Sequence, residues 1–160
     1  EFNIDELHSR MNIIPVSLAL TQSAIETGWG TSRFAQDGNA LFGQWTWNDA
    51  SGIVPLGREV GATHSIKRFN DLISAVEGYS LNLNTHSAYQ DFRTERAKFS
   101  RNKIIVVDKD LLFTLLYYSE LGFAYIDSLT NIIGANNLRS FDNVKLQKTA
   151  YQKLKLSPIP

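Results

Sequence analysis

The chain has 160 residues, 43% of them apolar and 20% charged, which is typical of a globular protein long enough to bury a sizeable core. Its 16 basic and 16 acidic residues cancel, so the overall charge favours neither nucleic acid nor an anionic membrane as a partner. The absence of cysteine excludes disulfides and thiolate metal sites. The sequence contains no apolar run of about 18 residues, so it predicts no membrane-spanning helix.

The first half of the chain predicts helices followed by a small β region. Pro15 opens a helix that Gly28 ends, and Ser32 caps a short turn that ends at Gly38. From Phe42 to Phe69, helical spacing gives way to short segments punctuated by Gly and Pro, which predict a small β lobe at about 42–69. The first helix is expected to bury a stripe formed by Val16, Ala19, Leu20 and Ala24.

Helical spacing returns after Asp71 and continues through the second half of the chain. Ser87 and Gln90 form a capping-box pair that predicts the start of a helix. The segments 108–119 and 124–133 predict two more helices, and a Lys-rich helix is expected from Asp142 to Leu154. No repeat or long linker divides the chain. We therefore expect a mainly α (α+β) fold that forms one domain over residues 1–160.

The stretch "AIETGWGTSRFA" places a carboxylate, Glu26, near the end of the first helix. No Lys or Arg lies three or four residues away on either side, so no local ion pair accounts for it. A solvated glutamate is the ordinary interpretation of a charge at a helix end. The neighbouring Trp29 and the apolar helix favour another one, a carboxyl with a raised pKa that acts as the general acid of glycosidic cleavage.

Two tryptophans follow in "LFGQWTW", on the same face of a predicted strand. Sugars bind by stacking their apolar faces on such rings, whereas two tryptophans in isolation more often belong to a core. We expect Trp45 to be structural and Trp47 to lie at a cleft.

The segment "QSAIETGWGTSRFAQDGNALFGQW" resembles the glucosaminidase signature of the bacterial Bax proteins and, more distantly, of glycoside hydrolase family 73. "GATHSIKRFNDLISAVEGYSLNLNTHSAYQDFRTER" and "YYSELGFAYIDSL" are similar to later segments of those proteins. The resemblance implies a lysozyme-like helical domain with a small β lobe. It also implies a peptidoglycan hydrolase with endo-β-N-acetylglucosaminidase activity, located in the cell envelope, periplasmic or secreted, although no signal peptide is recognised at Glu1.

The resemblance also implies which residues do the chemistry. Glu26 matches the catalytic acid, Glu59 is the best match for a second carboxylate, and Tyr118 matches the late tyrosine, with Tyr125 as a weaker candidate. The late motif departs from the family's Tyr-Ala-Thr-Asp, since Tyr-Ser-Glu-Leu stands here, so no aspartate role is carried over. Trp29 is expected to shield the carboxyl rather than to stack on a sugar. The predicted substrate-binding set is Trp29, Phe42, Gln44, Trp47 and Tyr125.

Several alternatives stay open at this point. Glu59 either activates water for an inverting reaction or leaves attack to the substrate's own N-acetyl group. A muramidase, a lytic transglycosylase and a non-catalytic glycan-binding module are the alternative functions. We expect no cofactor and no metal, since the histidines lack ligand spacing, and a monomer whose partner is the peptidoglycan glycan strand. The remaining charged candidates are expected to be structural or solvated: Arg68, Glu77, Arg93, Arg96 and Glu120.

Overall fold

The computed structural model describes residues 3–100 and 107–145. Within these ranges the fold is mainly α, with one small antiparallel sheet, which confirms the expected lysozyme-like architecture with a small β lobe. No helix among these residues is both long and apolar enough to cross a membrane. The helices are α1 (Ile4–Arg10), α2 (Val16–Thr27), α3 (Arg33–Gly38), α4 (Leu72–Thr85), α5 (Gln90–Ser100), α6 (Lys109–Phe113) and α7 (Phe123–Ala135).

The sheet lies in the predicted lobe and consists of β1 (Trp45–Thr46), β2 (Gly52–Ile53) and β3 (Ser65–Lys67). β3 is central and pairs antiparallel with both neighbours, in the order β1-β3-β2. Such short strands have little pairing energy of their own, so the lobe depends on packing against the helices. A backbone bond from the Phe69 N–H to the Gly38 carbonyl, 2.8 Å long, joins the end of the lobe to α3.

Local sequence accounts for most helix ends. Gly28 ends α2 in the left-handed conformation at φ 55° and ψ 52°, which glycine adopts without a Cβ clash. The Ser32 side chain accepts a bond from the Ala35 N–H, and Asp71 accepts one from the Ser74 N–H. That bond lowers the pKa of Asp71.

Three predicted helix boundaries are wrong. The predicted capping box is replaced by a 3₁₀ turn (Ser87–Tyr89) before α5, and the His86 ring nitrogen caps that turn by accepting from the Ala88 N–H. The helix predicted over 108–119 stops at Phe113, and turns lead from there to α7. Asp142 belongs to a 3₁₀ helix (Leu138–Asn143) rather than starting a new helix, and residues 146–154 of the predicted Lys-rich helix lie outside the described residues.

The buried face of α2 also differs from the predicted apolar stripe. Val16 and Leu20 are exposed, whereas Ser17 and Gln22 are fully buried. Burial of these polar side chains is tolerated because each finds a partner: the Ser17 N–H and hydroxyl donate to the Asp142 carboxylate at 2.7 and 2.8 Å. Helix α2 therefore packs its polar face against α7 and the Leu138–Asn143 turn, and this packing fixes the position of its C-terminal end.

The hydrophobic core joins α2, α4, α5, α6 and α7. Two of its members, Phe42 and Tyr79, stack face to face with ring centroids 3.9 Å apart. Phe42 belongs to the segment between α3 and β1, so this stack anchors the entrance of the β lobe on the helical core. The anchored segment forms one wall of the cleft described next.

Candidate active site

A cleft of about 490 Å³ opens where α2, the entrance of the β lobe, α4 and the turn before α7 meet. We call it the Glu26 cleft. Four stretches of chain build its walls: the end of α2, residues 42–45, the region of α4 and the 3₁₀ turn after it, and residues 118–121. Its lining consists of Glu26, Phe42, Gly43, Gln44, Trp45, Asn82, Tyr89, Tyr118, Ser119, Glu120 and Leu121.

Glu26 lies one residue before the last residue of α2, and the left-handed Gly28 turns the chain away immediately after it. On the opposite side, Gly43 approaches the carboxylate: a Cβ at position 43 would lie 3.0 Å from Glu26 Oε2. Gly43 also has a positive φ of 59°, so both conformation and space favour glycine there. Two glycines thus deliver the carboxylate to the cleft and leave room beside it.

The environment of Glu26 favours the protonated acid. Part of the side chain is exposed in the open cleft, while the surrounding walls desolvate the carboxyl, and this burial raises the pKa of Glu26 above the ordinary glutamate value. Within the described residues no side chain or backbone group donates a hydrogen bond to the carboxyl, and no cation pairs with it. Glu26 is therefore free to exchange its proton with a bound molecule.

Tyrosines surround the inner part of the cleft. The Tyr118 ring stacks on Tyr125, with centroids 5.7 Å apart and an interplanar angle of 5°, and lies 6.0 Å from Tyr89. The Tyr118 hydroxyl donates to the Phe42 carbonyl across 3.5 Å. Burial raises the pKa of all three hydroxyls, and the nearby Glu26 charge raises it further. The hydroxyls therefore remain hydrogen-bond donors over the whole physiological pH range.

Tyr125 lies beneath the cleft rather than on its wall. It is completely buried, and its hydroxyl accepts a bond of 2.8 Å from the Gln22 amide. The carbonyl of the same amide accepts from the Tyr79 hydroxyl at 2.6 Å. Gln22 precedes Glu26 by one helical turn, so this buried network holds the C-terminal half of α2 in place beneath the cleft.

The tryptophans of the β lobe are both exposed, by 57% for Trp45 and 71% for Trp47, so the expectation of a core position for Trp45 is wrong. A two-residue strand on a small lobe has no second layer to cover such rings. Trp45 lines the Glu26 cleft, stacks on His64 with centroids 4.5 Å apart and meets Trp47 edge-on at 6.5 Å. Trp47 lies outside the lining, and its contact with substrate stays a prediction.

Two more predicted residues do not line the cleft. Trp29, with φ 60°, is 61% exposed and outside the lining, and its shielding of the Glu26 carboxyl stays a prediction. Glu59 is exposed in the loop between β2 and β3, also outside the lining. Phe42 and Gln44, by contrast, do line the cleft, and the Gln44 Oε1 atom is buried without a hydrogen-bond partner.

The sequence analysis overlooked the parts that Gly43, Asn82 and Tyr89 play, and it assigned Glu120 to a solvated surface. Gly43 had a detectable signal, a glycine between the two predicted cleft residues Phe42 and Gln44. No comparable signal marked Asn82, Tyr89 or Glu120, because only tertiary packing brings α4, the 3₁₀ turn after it and the turn before α7 to the same cleft.

Arg93 and Arg96 have structural partners, whereas Arg68 is exposed. Arg96 is completely buried and donates to the Ser9 and Ile13 carbonyls and to Asn84, and burial lowers its pKa to about 10. Arg93 donates to two backbone carbonyls at the end of α4. Among residues 3–100 and 107–145, no group of three or more His, Asp or Glu side chains is placed to hold a metal ion.

Comparison with known proteins shows the family of this chain. A family model named Glucosaminidase, described as mannosyl-glycoprotein endo-beta-N-acetylglucosaminidase, matches residues 3–138. The protein Bax of Escherichia coli (strain K12) is 34% identical over 119 residues, which cover 74% of this chain and 42% of Bax, so the chain spans less than half of that relative. No solved structure matches. These matches support a glycan hydrolase-like role, and the extent of the family match shows that the chain belongs to the Glucosaminidase family.

Proposed function

We propose that this chain is an endo-β-N-acetylglucosaminidase that hydrolyses the glycan strands of bacterial peptidoglycan, with Glu26 as the general acid. The observation that carries the proposal is the Glu26 carboxyl itself. It has a raised pKa, makes no hydrogen bond to the described protein groups, and lies in an open cleft beside a glycine. The family match over residues 3–138 supports the same reaction class.

The reaction follows from the proton that Glu26 holds. Glu26 donates it to the glycosidic oxygen as the bond from that oxygen to the sugar C1 breaks, and the leaving sugar departs as an alcohol. Tyr118, in the same lining, is proposed to orient the N-acetyl group or the attacking water through its hydroxyl. Trp45 offers an aromatic surface at the mouth of the cleft on which a sugar ring stacks.

The group that completes the reaction at C1 is the second part of the proposal. In the inverting route, a carboxylate takes a proton from water while the water oxygen bonds to C1, which needs about 6.5–9.5 Å between the two carboxyls. Glu59 is the residue that the resemblance implies, and it has to approach the cleft from the β lobe to do so. Glu120 is the other carboxylate of the lining. In the substrate-assisted route, the N-acetyl oxygen bonds to C1 as the glycosidic bond breaks and Glu26 protonates the leaving sugar. Water then attacks C1 and reopens the ring, giving its proton back to Glu26, so neither Glu59 nor Glu120 has to act as the base.

The setting of the enzyme follows from its substrate. We propose that residues 1–160 act as one catalytic domain, as a monomer, in the cell envelope where peptidoglycan is found. Neither nucleic acid nor a resident cofactor enters the reaction as written, since Glu26 and water supply both the proton and the nucleophile of the inverting route.

The test is a cell-wall zymogram of the protein beside its Glu26→Gln variant, followed by solution rates. The amide is nearly isosteric but has no proton to donate, so the rate should fall by about 10²–10⁴-fold while the fold is retained. Glu77→Gln, which removes an exposed charge from α4, is the matched control and should be fully active. Activity of Glu26→Gln within about threefold of the parent would contradict the assignment.

Analysis of the released fragments tests the bond that is cut. A glucosaminidase leaves N-acetylglucosamine at the new reducing ends. Reducing ends of N-acetylmuramic acid would indicate a muramidase instead, and anhydro ends a lytic transglycosylase. An intact polymer that is nevertheless bound would indicate a glycan-binding module.

A further inference from the structure

The buried amide of Gln22 joins α2 to two other helices. Gln22 lies one helical turn before Glu26 and is completely buried. Its amide nitrogen donates to the Tyr125 hydroxyl of α7 at 2.8 Å, and its carbonyl oxygen accepts from the Tyr79 hydroxyl of α4 at 2.6 Å. Both tyrosines are buried as well, so the amide and the two hydroxyls depend on one another for hydrogen bonds. One side chain therefore fixes two tyrosines at the same time.

Each of these tyrosines supports one wall of the Glu26 cleft by ring stacking. The Tyr79 ring lies 3.9 Å from the Phe42 ring, at an interplanar angle of 11°. The Tyr125 ring lies 5.7 Å from the Tyr118 ring, at an angle of 5°. Phe42 and Tyr118 line the cleft, whereas the two tyrosines behind them do not. The position of the Gln22 amide is thus passed on to two lining residues from beneath the cleft.

The two walls also contact each other, so the contacts form a closed network. The Tyr118 hydroxyl donates to the Phe42 carbonyl across 3.5 Å. We call the closed set the Gln22 network. Its members are Gln22, Phe42, Tyr79, Tyr118 and Tyr125. Because the set is closed, a change at the Gln22 amide alters the separation of Phe42 and Tyr118.

This separation matters for the position of the reacting groups. Gly43 directly follows Phe42, and a Cβ at position 43 would lie 3.0 Å from Glu26 Oε2, so a shift of Phe42 moves the backbone that borders the carboxyl. Tyr118, on the other wall, is the residue proposed to orient the N-acetyl group or the attacking water. We propose that Gln22 is a positioning residue that holds these two walls at the separation the reaction needs, without touching the substrate. The inference rests on the proposed function and adds the residue that aligns its parts.

Thr21 provides a matched control for a role in stability alone. It precedes Gln22 on α2, is completely buried as well, and donates its hydroxyl hydrogen bond to the Ser17 carbonyl at 2.7 Å. That bond stays within α2 and joins no member of the Gln22 network. Thr21→Val therefore removes a buried hydrogen bond from the same helix and leaves the cleft walls where they are.

The experiment compares kcat, KM and melting temperature on soluble peptidoglycan fragments. The variants are Gln22→Leu, Tyr79→Phe, Tyr125→Phe and Thr21→Val. Leucine replaces the amide by an apolar side chain of similar size, and phenylalanine removes a hydroxyl but keeps the stacked ring. Each variant should lower the melting temperature by roughly 2–8 °C, because each loses at least one buried hydrogen bond.

The catalytic constants should separate the network from the control. A displacement of 1 Å costs up to about 10²-fold in rate, so kcat should fall roughly ten- to hundredfold in Gln22→Leu and roughly three- to tenfold in each tyrosine variant. KM should stay within about twofold of the parent, since the lining side chains are all retained. Thr21→Val should keep the kcat of the parent despite its lower melting temperature.

The proposal is overturned if Gln22→Leu has the same kcat as Thr21→Val, or if its KM rises while kcat is unchanged. If Gln22→Leu does not fold, the two tyrosine variants decide the matter, and the parent's kcat in both would overturn the proposal. Failure of the proposed function is recognised separately, since the wild-type protein then releases no fragments from peptidoglycan.

Crystal structures test the Gln22 network independently of activity. In a structure of Gln22→Leu, or of Tyr125→Phe where the first does not fold, the distance from the Tyr118 hydroxyl to the Phe42 carbonyl should exceed 3.5 Å. In Thr21→Val it should be unchanged. An unchanged distance in the network variant would overturn the positioning role, whether or not the protein hydrolyses peptidoglycan.

Discussion

Replacing Gly43 by alanine is expected to slow hydrolysis while leaving the protein folded. The new Cβ would lie 3.0 Å from Glu26 Oε2, and the residue would have to keep a φ of 59°. The contact is tighter than normal van der Waals packing, so the carboxylate has to move by a few tenths of an ångström. The perturbation therefore acts on the position of the proton donor without removing it.

Both consequences of this substitution have an expected size. A left-handed alanine costs about 1–2 kcal/mol, which lowers the melting temperature of a chain of this length by roughly 2–8 °C. A misplacement of 1 Å costs up to about 10²-fold in rate, so a few tenths of an ångström predict a loss of roughly three- to tenfold. The loss should appear mainly in kcat, because the added methyl group acts first on the position of the Glu26 carboxyl.

Gly30→Ala is the matched control for this measurement. Gly30 also has a positive φ, 77°, but nothing lies within 4 Å of a Cβ built there. It should reproduce the loss of melting temperature in calorimetry and retain the parent's kcat on soluble muropeptide substrate. Equal kcat values for Gly43→Ala and Gly30→Ala would refute the argument that Gly43 positions the carboxylate.

Three further predictions concern the carboxylates and the aromatic lobe. Because burial raises the pKa of Glu26, kcat/KM should fall as pH rises through a value above the ordinary glutamate range. Near pH 7 the buried charge destabilises the folded parent, so Glu26→Gln should have the higher melting temperature. This difference should vanish below about pH 4, where Glu26 is neutral in both the folded and the unfolded state. Trp45→Ala should weaken glycan binding, measured by calorimetry, with little change in melting temperature. Trp47→Ala should cause a smaller loss of glycan affinity. If Glu59 is the base of an inverting reaction, Glu59→Ala should lower the rate by orders of magnitude. Azide should then restore the rate by replacing the activated water, and the product should be an azide adduct of inverted configuration. If Glu120 is the base instead, Glu120→Ala should show the same loss and the same rescue.

Each of these predictions has its contrary outcome. A limb of the pH profile at the ordinary glutamate value would argue against desolvation of Glu26. Loss of about 3–5 kcal/mol of stability in Trp45→Ala would indicate a core residue instead. Full activity of both Glu59→Ala and Glu120→Ala, with inhibition by a thiazoline mimic of the cyclised N-acetyl group, would leave Glu26 as the sole catalytic carboxylate. Glu77→Gln serves again as the charge-removal control.

Much of the local structure could be predicted from the sequence because it depends on neighbours in the chain. The end of α2 at Gly28 and the caps at Ser32 and Asp71 join atoms about three residues apart, so the residue types suffice. The position of Glu26 without a local ion pair is also visible in the sequence, because no basic residue lies within one helical turn, and its catalytic role stays a prediction. The small β lobe followed from the loss of helical spacing between Phe42 and Phe69.

Only the tertiary structure decided which faces are buried and what lines the cleft. Ser17 is buried because Asp142 accepts its hydrogen bonds, and Gln22 because Tyr79 and Tyr125 bond its amide, and these partners lie far away in the chain. Hydrophobic spacing carries no information about such distant partners, so it favoured the exposed Val16 and Leu20 instead. Phe42, Gln44 and Tyr118 were expected from the sequence and do line the cleft, whereas Asn82 reaches it only through the same long-range packing. This is the physical reason why part of the lining could be predicted from the sequence and part of it could not.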